Sequence, residues 1–521
     1  MDIPQTVRRA MQHRGNELGL IDGATQLTWN QLGDRIARLG GFFGSLGTKA
    51  GDRVVVVSQS SQQYIEAYFA APWIGAAIVP ANVRLSEVEL SKLLLSAAPK
   101  VIIFDACYAS LVLGAAKAVP ETKLVYVTSA SQPDGIEEHY SLDNNYFDYE
   151  DGIQNSKPVA ASGCDGDDMA AIFYTGGTTG DAKGVMLSHH NILFNALATI
   201  PYLKTSNRTV QLHAGPLFHT GAGQRVFTAT VAAATHVVLP KFSPSAFCQA
   251  VEEHRATAVM LVPTMLQMIL DFPDREKYDL SSLRHISYGG APMPTRLLER
   301  LMASLNWCHF SHSYGMTELS PVATALTDRE HRTSRLDGPK LGSIGRSALT
   351  TEVIIADGDG IEVARGQAGE IIVRGPNVML GYWRRPDLTS EVLKNGWMHT
   401  GDIGVMDDAG YVTLLDRKKD MIISGGENVF SAEVEEILQR MESVDKCAVV
   451  GLPDPKWGER VHAVIISKDA VAPTLQDLQD HCRLFLAAYK IPRSYTVDLE
   501  ELPLSAANKI DKKQLRQLLA P

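Results

Sequence analysis

The stretch Phe173–Val185, FYTGGTTGDAKGV, holds four glycines, three threonines and one lysine in thirteen residues. It offers almost nothing to bury, yet it directly follows the apolar run MAAI. Glycines let backbone amides close on an oxyanion, while hydroxyls and an ammonium group add donors and charge. The segment therefore predicts a phosphate cradle built from Thr175, Gly176, Gly177, Thr178, Thr179, Gly180 and Lys183. It is not the GxxxxGK[ST] loop of the common nucleotide-binding fold, because Gly184 follows the lysine where serine or threonine is required.

Bulk properties narrow what such a cradle could serve. At 521 residues the chain exceeds what one hydrophobic core supports, so two or more domains are expected. A formal net charge of −10 argues against a general nucleic-acid binder, so an anionic ligand must be met by local donors. Six scattered cysteines with no CxxC pair read as reduced, cytoplasmic usage. The amino-terminal MDIPQTVRRAMQHRGNELG lacks the apolar core of a secretory signal. The longest apolar run, Tyr68 to Ala81, contains Pro72 and Pro80 and reads as a buried helix and strand, so no transmembrane segment is expected.

These groups need a scaffold, and the sequence pattern supplies one. LTWNQLGDRIARLGGFFGSLG has apolar residues at helical spacing, and DRVVVVSQS is a short β-branched run. QYIEAYFAAPWIGAAIVPAN reads as helix then strand, and KVIIFD as another strand. Such alternation predicts a parallel sheet with helices on its faces. Residues 140–168 are acidic and turn-rich and read as a surface connection. Near residue 416 the composition shifts. SAEVEEILQRM there predicts a helix with Ser431 as N-cap and Val434, Ile437, Leu438 and Met441 as its stripe.

The cradle resembles the signature of the adenylate-forming superfamily, in its acyl- and aryl-CoA ligase branch. Further blocks follow in that family's order: PLFHTGAG, SYGGAPMP, YGMTE, GSIGR, GEIIVRGPNVMLGYW, GWMHTGD, LLDRKKDMIISGGENVFSAEVE, GLPDPKWGE and LPLSAANKIDKKQLR. The resemblance covers nearly the whole chain. It implies an α/β fold: a large domain over 1–415 with two doubly wound sheets and a β-barrel-like subdomain, and a small mobile α+β domain over 416–521 hinged at Asp416. The implied reaction joins a carboxylic acid to coenzyme A through an acyl-AMP intermediate made from ATP with Mg2+.

By resemblance, Thr175, Thr178, Thr179 and Lys183 hold the β- and γ-phosphates, and Glu318 is the magnesium ligand. Gly289, Gly290 and Ala291 form the adenine-contacting turn, and Tyr314, followed by Gly315, Met316 and Thr317, stacks on the base. Asp402 accepts from the ribose hydroxyls, and Arg417 contacts ribose or phosphate. Lys509 serves adenylation and leaves for the thioester step. Gly425, Gly426 and Glu427 belong to the thiol channel. Trp457 either stacks on the CoA adenine, with Lys456 and Arg460 near its phosphates, or packs as a surface pair. His219 gates the acyl pocket or contacts the carboxylate, and His189–His190 cap the helix after the cradle. Asn508 stands where the family usually has glycine, and asparagine tolerates left-handed backbone nearly as well.

A stand-alone ligase is the first reading, since no carrier domain follows Lys509. The alternative is an enzyme loading an acyl group on a carrier protein. The expected partners are the acid, ATP and CoA, with no nucleic acid, and a homodimer is left open as an assembly. Candidate lining residues Gly221, Ala222, Gly223, Gly289, Gly290, Gly315 and Met316 carry no charge. They favour an apolar monocarboxylate, medium-chain fatty acids ahead of aromatic ones.

Overall fold

The computed structural model describes residues 1–128, 145–175, 182–337, 340–468, 472–497, 501–504 and 510–519. They form two compact units: 1–175, 182–352 and 373–398 in one, 353–372 and 399–519 in the other.

The first unit contains two sheets. In one, the strands Ala77–Pro80, Arg53–Val57, Val101–Asp105, Lys123–Val127 and Tyr146–Asp148 lie in that order and pair in parallel. Met169–Thr175 adds in parallel beside Ala77–Pro80, and Lys183–Ser188 and Gly381–Tyr382 close that edge antiparallel. Val55, Val57, Val79, Ile102 and Phe104 fill one face against Leu90, Leu93 and Leu94. The run from Tyr68 becomes the helix Gln62–Trp73, with Pro72 in its last turn, and then the strand Ala77–Pro80.

The second sheet includes His309–Gly315, His285–Gly289, Ala258–Leu261, Val210–His213, Thr235–Val238 and Leu18–Asp22, each parallel to the next in that order. Side chains alternate between its faces. Val259, Leu261, Ile286, Tyr288 and Phe310 enter the apolar core, and Leu297, Leu298 and Leu301 pack there too. The residues between them face the opposite way.

The expected surface connection is partly regular structure. Tyr146–Asp148 pairs with the Leu124 strand, and the helix Tyr149–Asn155 follows. Its acidic residues are used locally: Asp148 caps that helix through the Asp151 amide at 2.8 Å, and Glu150 pairs with Arg35. An acidic composition hid an edge strand and a capped helix.

In the second unit the strand residues 368–372, 399–406 and 412–417 lie side by side. A further sheet of Glu427–Val429, Ile422–Ser424, Gly458–Ser467 and Val444–Asp454 is antiparallel, with Ser494–Thr496 added in parallel. The helices Ser431–Leu438 and Leu475–Arg483 contribute Val434, Leu438, Leu478 and Cys482 to its core. Ser431 is not the N-cap expected: the cap position is Phe430, without a side-chain bond. Ser431 instead turns its amide and hydroxyl to Asp416, so an acid from a neighbouring strand does the capping.

Candidate active site

In the first unit, Thr175 ends one strand and Lys183 begins its antiparallel partner, directly opposite each other. Thr175 Oγ1 donates to the Lys183 carbonyl at 3.5 Å. Gly176, Gly177, Thr178, Thr179 and Gly180 lie outside the described residues, so the structure places the two ends of the cradle. The Lys183 ammonium stands over the Tyr382 ring, 5.1 Å from its centroid. Tyr382 pairs with Val185 at the sheet edge, and its hydroxyl donates to Glu318 Oε1 at 2.7 Å. Burial beside that carboxylate drives the phenol well above its ordinary range. Lys183, Tyr382 and Glu318 thus form one constellation, and Tyr382 is the member the sequence reading missed. Its signal was present in the GYW that closes GEIIVRGPNVMLGYW.

Glu318 is 6% exposed, in a short turn that follows the strand His309–Gly315. The Met379 amide donates to its carbonyl at 2.9 Å. Thr317 shares a hydroxyl hydrogen bond of 3.1 Å with Thr220, at the start of the helix Thr220–Val231. Tyr314 is half-buried opposite Thr324, and Met316 is extended. Gly315 is set by close approach: a Cβ there would stand 1.8 Å from the Pro321 carbonyl oxygen. Gly289 ends the adjacent parallel strand, and Gly290 and Ala291 follow it. These groups therefore cluster at the carboxyl ends of parallel strands, where open α/β sheets bind ligands.

His219 is exposed, immediately before the Thr220 helix, with Phe218 against its ring at 4.6 Å. The histidine pair after the cradle does not cap its helix. Ser188 and Asn191 form the capping box there. His189 Nδ1 accepts from the Ile3 amide and His190 Nδ1 meets Asp167 at 3.0 Å. Serine reaches the N3 amide with less bulk than imidazole, which frees both rings for distant partners.

In the second unit, Asp402 and Arg417 are register partners on adjacent antiparallel strands, 3.5 Å apart at Oδ1 and Nε. Asp416 is buried, and its carboxylate accepts from the Arg417 amide at 2.7 Å and from the Ser431 hydroxyl at 2.6 Å. Lys512 donates to that hydroxyl at 2.6 Å and pairs with Glu435 at 2.7 Å. Lys509 lies outside the described residues.

Gly425 and Gly426 form a two-residue hairpin between Ser424 and Glu427, both with positive φ, of 64° and 85°. The turn itself requires glycine, and a Cβ on Gly425 would come 2.8 Å from the Trp457 ring. Trp457 carries Arg493 over its ring at 4.1 Å and Lys456 at 4.9 Å. Arg460 turns instead to Ser494, at 3.0 Å.

Residues 7–383 match the family model described as AMP-binding enzyme, and residues 433–509 match the AMP-binding enzyme C-terminal domain. The chain belongs to the AMP-binding enzyme family. It is similar to a feruloyl-CoA synthase of an Amycolatopsis species, 37% identical over 95% of this chain and 94% of that protein. A 3-[(3aS,4S,7aS)-7a-methyl-1,5-dioxo-octahydro-1H-inden-4-yl]propanoyl:CoA ligase of Rhodococcus jostii is 32% identical over 99% and 98%. Among solved structures, ATP-bound MatB from Rhodopseudomonas palustris has a TM-score of 0.87 at 27% identity, covering 99% of both chains. The fold is thus the mixed α/β architecture expected, with a large amino-terminal and a smaller carboxy-terminal domain. The protein is an AMP-forming acid–thiol ligase of the acyl- and aryl-CoA ligase kind, a reaction class whose substrates include ATP and CoA.

Proposed function

We propose that this enzyme activates a carboxylic acid in two steps, with the domain over 1–415 holding ATP and acid and the domain over 416–521 turning about Asp416 between them. A carboxylate oxygen attacks the α-phosphorus of ATP and the bond to pyrophosphate breaks. The CoA thiolate then attacks the acyl carbon of the adenylate, and AMP leaves. The observation that carries the reading is the Lys183–Tyr382–Glu318 constellation, which sets a cation and an anchored carboxylate beside the base of the glycine–threonine loop.

Thr175, Thr178, Thr179 and Lys183 hold the β- and γ-phosphates, and the charge of Lys509 offsets the repulsion between carboxylate and triphosphate in the first step. Tyr314 and the Gly289–Gly290 turn receive adenine, and Asp402 with Arg417 receives the ribose. Glu318 fits a divalent cation: its carboxylate is a hard oxygen donor already held by the Tyr382 hydroxyl. Magnesium bound there would neutralise phosphate charge. Among the described residues no group of three or more His, Cys, Asp or Glu could hold a metal. A magnesium ion shared with phosphates needs only one or two protein carboxylates.

An aromatic or alicyclic acid moves ahead of the medium-chain fatty acid that the uncharged lining favoured. The sheet face beyond Gly289 carries Ser287, Ser311 and Ser313, with the Tyr202 hydroxyl 3.1 Å from Ser313, and so is more polar than an alkyl chain requires. The reaction belongs in the cytoplasm: all six cysteines are free thiols, and among the described residues no helix is long and apolar enough to cross a membrane.

The test is incubation with MgATP, CoA and a panel of fatty, benzoic and cinnamic acids, each with and without a distal hydroxyl or carboxylate, with AMP and thioester measured together. A thioester with AMP is the expected result. Pyrophosphate without a CoA product would move the acceptor to a carrier protein, and neither product with any acid would refute acid activation.

A further inference from the structure

An uncharged acyl pocket follows from the glycines of its expected lining, but the helix that borders it carries a buried cation. Arg225 is 4% exposed, and its Nε and Nη1 have no hydrogen-bond partner among the described residues. Gly221 lies one turn earlier on the same helix face, and a Cβ there would be 3.3 Å from Met260 Cε. The helix therefore lies over the sheet face that carries Met260 and Ala258, whose register partners are Ser287 and His285. The charge of Arg225 is felt at His285, where it adds to burial in holding that imidazole neutral. His285 Nε2 meets Ser311 at 2.8 Å, while its Nδ1 also has no partner among the described residues.

Polar groups thus line the seam between helix and sheet, with unsatisfied donors at its inner end. Its outer end is Thr220, hydrogen-bonded to the Thr317 hydroxyl beside Glu318. Arg225 stands about 7.5 Å further along the helix axis at the usual rise per residue. On the sheet side, His285 lies about 13 Å from Gly289. Burying a guanidinium without an acceptor is strongly unfavourable, so the site is incomplete until an oxygen acceptor enters it.

We propose that Arg225 is a specificity-determining residue, which receives an oxygen acceptor carried by the acid at the end remote from its reacting carboxylate. A second carboxylate, a phenol oxygen or a ring carbonyl presents the same chemistry. The position suits an acid with about one ring between its two polar ends. An unsubstituted chain or ring leaves the cation unpaired and is rejected. This assignment rests on the ligase reading above and replaces the uncharged pocket with one that demands a distal oxygen.

The test uses matched acids on the full chain and its Arg225→Met variant. Cinnamic acid is compared with 4-hydroxycinnamic and 4-carboxycinnamic acids, and octanoic with octanedioic acid. Three quantities are read: kcat/KM for thioester formation, calorimetric Kd of the corresponding acyl-sulfamoyl adenosines, and melting temperature. The parent should favour an oxygen-bearing partner by roughly 100-fold or more. The hydroxyl and carboxylate arms tell which oxygen is taken. Arg225→Met should bring the ratio towards one and melt no lower than the parent, since it removes an unpaired buried charge. The inference is overturned if the parent prefers the unsubstituted acids. Parallel losses for every acid with a fall in melting temperature would also overturn it, because they would make Arg225 a structural residue. Preference among the adenosine analogues without any thioester would sink the ligase reading and leave Arg225 standing. Thioester formation with no preference within a pair would do the reverse.

Discussion

Replacing Tyr382 by phenylalanine isolates one hydrogen bond in the proposed magnesium site. The Tyr382 hydroxyl donates to Glu318 Oε1 at 2.7 Å, and Glu318 is 6% exposed. The phenylalanine ring still fills the sheet edge and still lies under the Lys183 ammonium, 5.1 Å from its centroid. What disappears is a charge-assisted bond, worth about 1.5–3 kcal/mol in such settings. If that bond orients Glu318 towards the metal, its loss raises the magnesium concentration for half-maximal activity by roughly 10- to 150-fold. This agrees with the 10- to 100-fold penalties typical when a partner of a metal ligand is removed, ~1.4 to 2.7 kcal/mol. The assay is pyrophosphate release at saturating ATP and acid across a magnesium titration. Activity should recover largely at high magnesium, because the ligand itself remains. An unchanged half-saturation in a variant that has lost activity would refute the reasoning. Tyr382 would then act on Lys183 or on packing, not through Glu318.

Other perturbations follow from the same structure. Lys509→Gln should abolish adenylation yet spare thioester formation from preformed adenylate, and equal loss of both steps would remove the role proposed for it. Glu66 is fully buried and accepts from Arg35 at 2.6 Å, Tyr149 at 2.7 Å and Gln62 at 2.8 Å. Glu66→Ala leaves those donors behind and should cost about 3–5 kcal/mol of stability in urea unfolding. Burial holds His236 and His285 neutral down to about 3, and His189, His312 and His462 down to about 4. Their folded values lie below the unfolded one near 6.5, so protons bind the unfolded chain more readily. Stability should fall as pH drops from about 6.5 towards 4, each such histidine adding about 1.4 kcal/mol per unit. Urea midpoints that stay level between pH 7 and 5 would contradict this.

Much of the architecture could be read along the chain because it rests on local pattern. The β-branched runs at Arg53–Val57 and Val101–Asp105 and the helical spacing of LTWNQLGDRIARL are short-range signals, and each element appears where those signals fall. The edge strand at Tyr146 was hidden because it is defined by its partner across Leu124, not by its own acidic composition. Ser431 was misassigned for a related reason. A serine before a helical stripe looks like a cap, but Asp416, fifteen residues earlier in the chain, takes that place through space.

The candidate site divides along the same line. Sequence alone determined the family and the order of its blocks, and it alone carries the phosphate-cradle proposal for the glycine–threonine loop, because that reading needs only residue type and spacing within one segment. Tertiary structure alone decided that Tyr382 anchors Glu318, that the Gly425–Gly426 pair answers to a hairpin and to Trp457, and that Arg225 is buried with its Nε and Nη1 unpartnered among the described residues. Those facts depend on which side chains from distant segments meet, and on whether a charge finds an acceptor once water has been excluded. Neither quantity exists until the chain has closed its core.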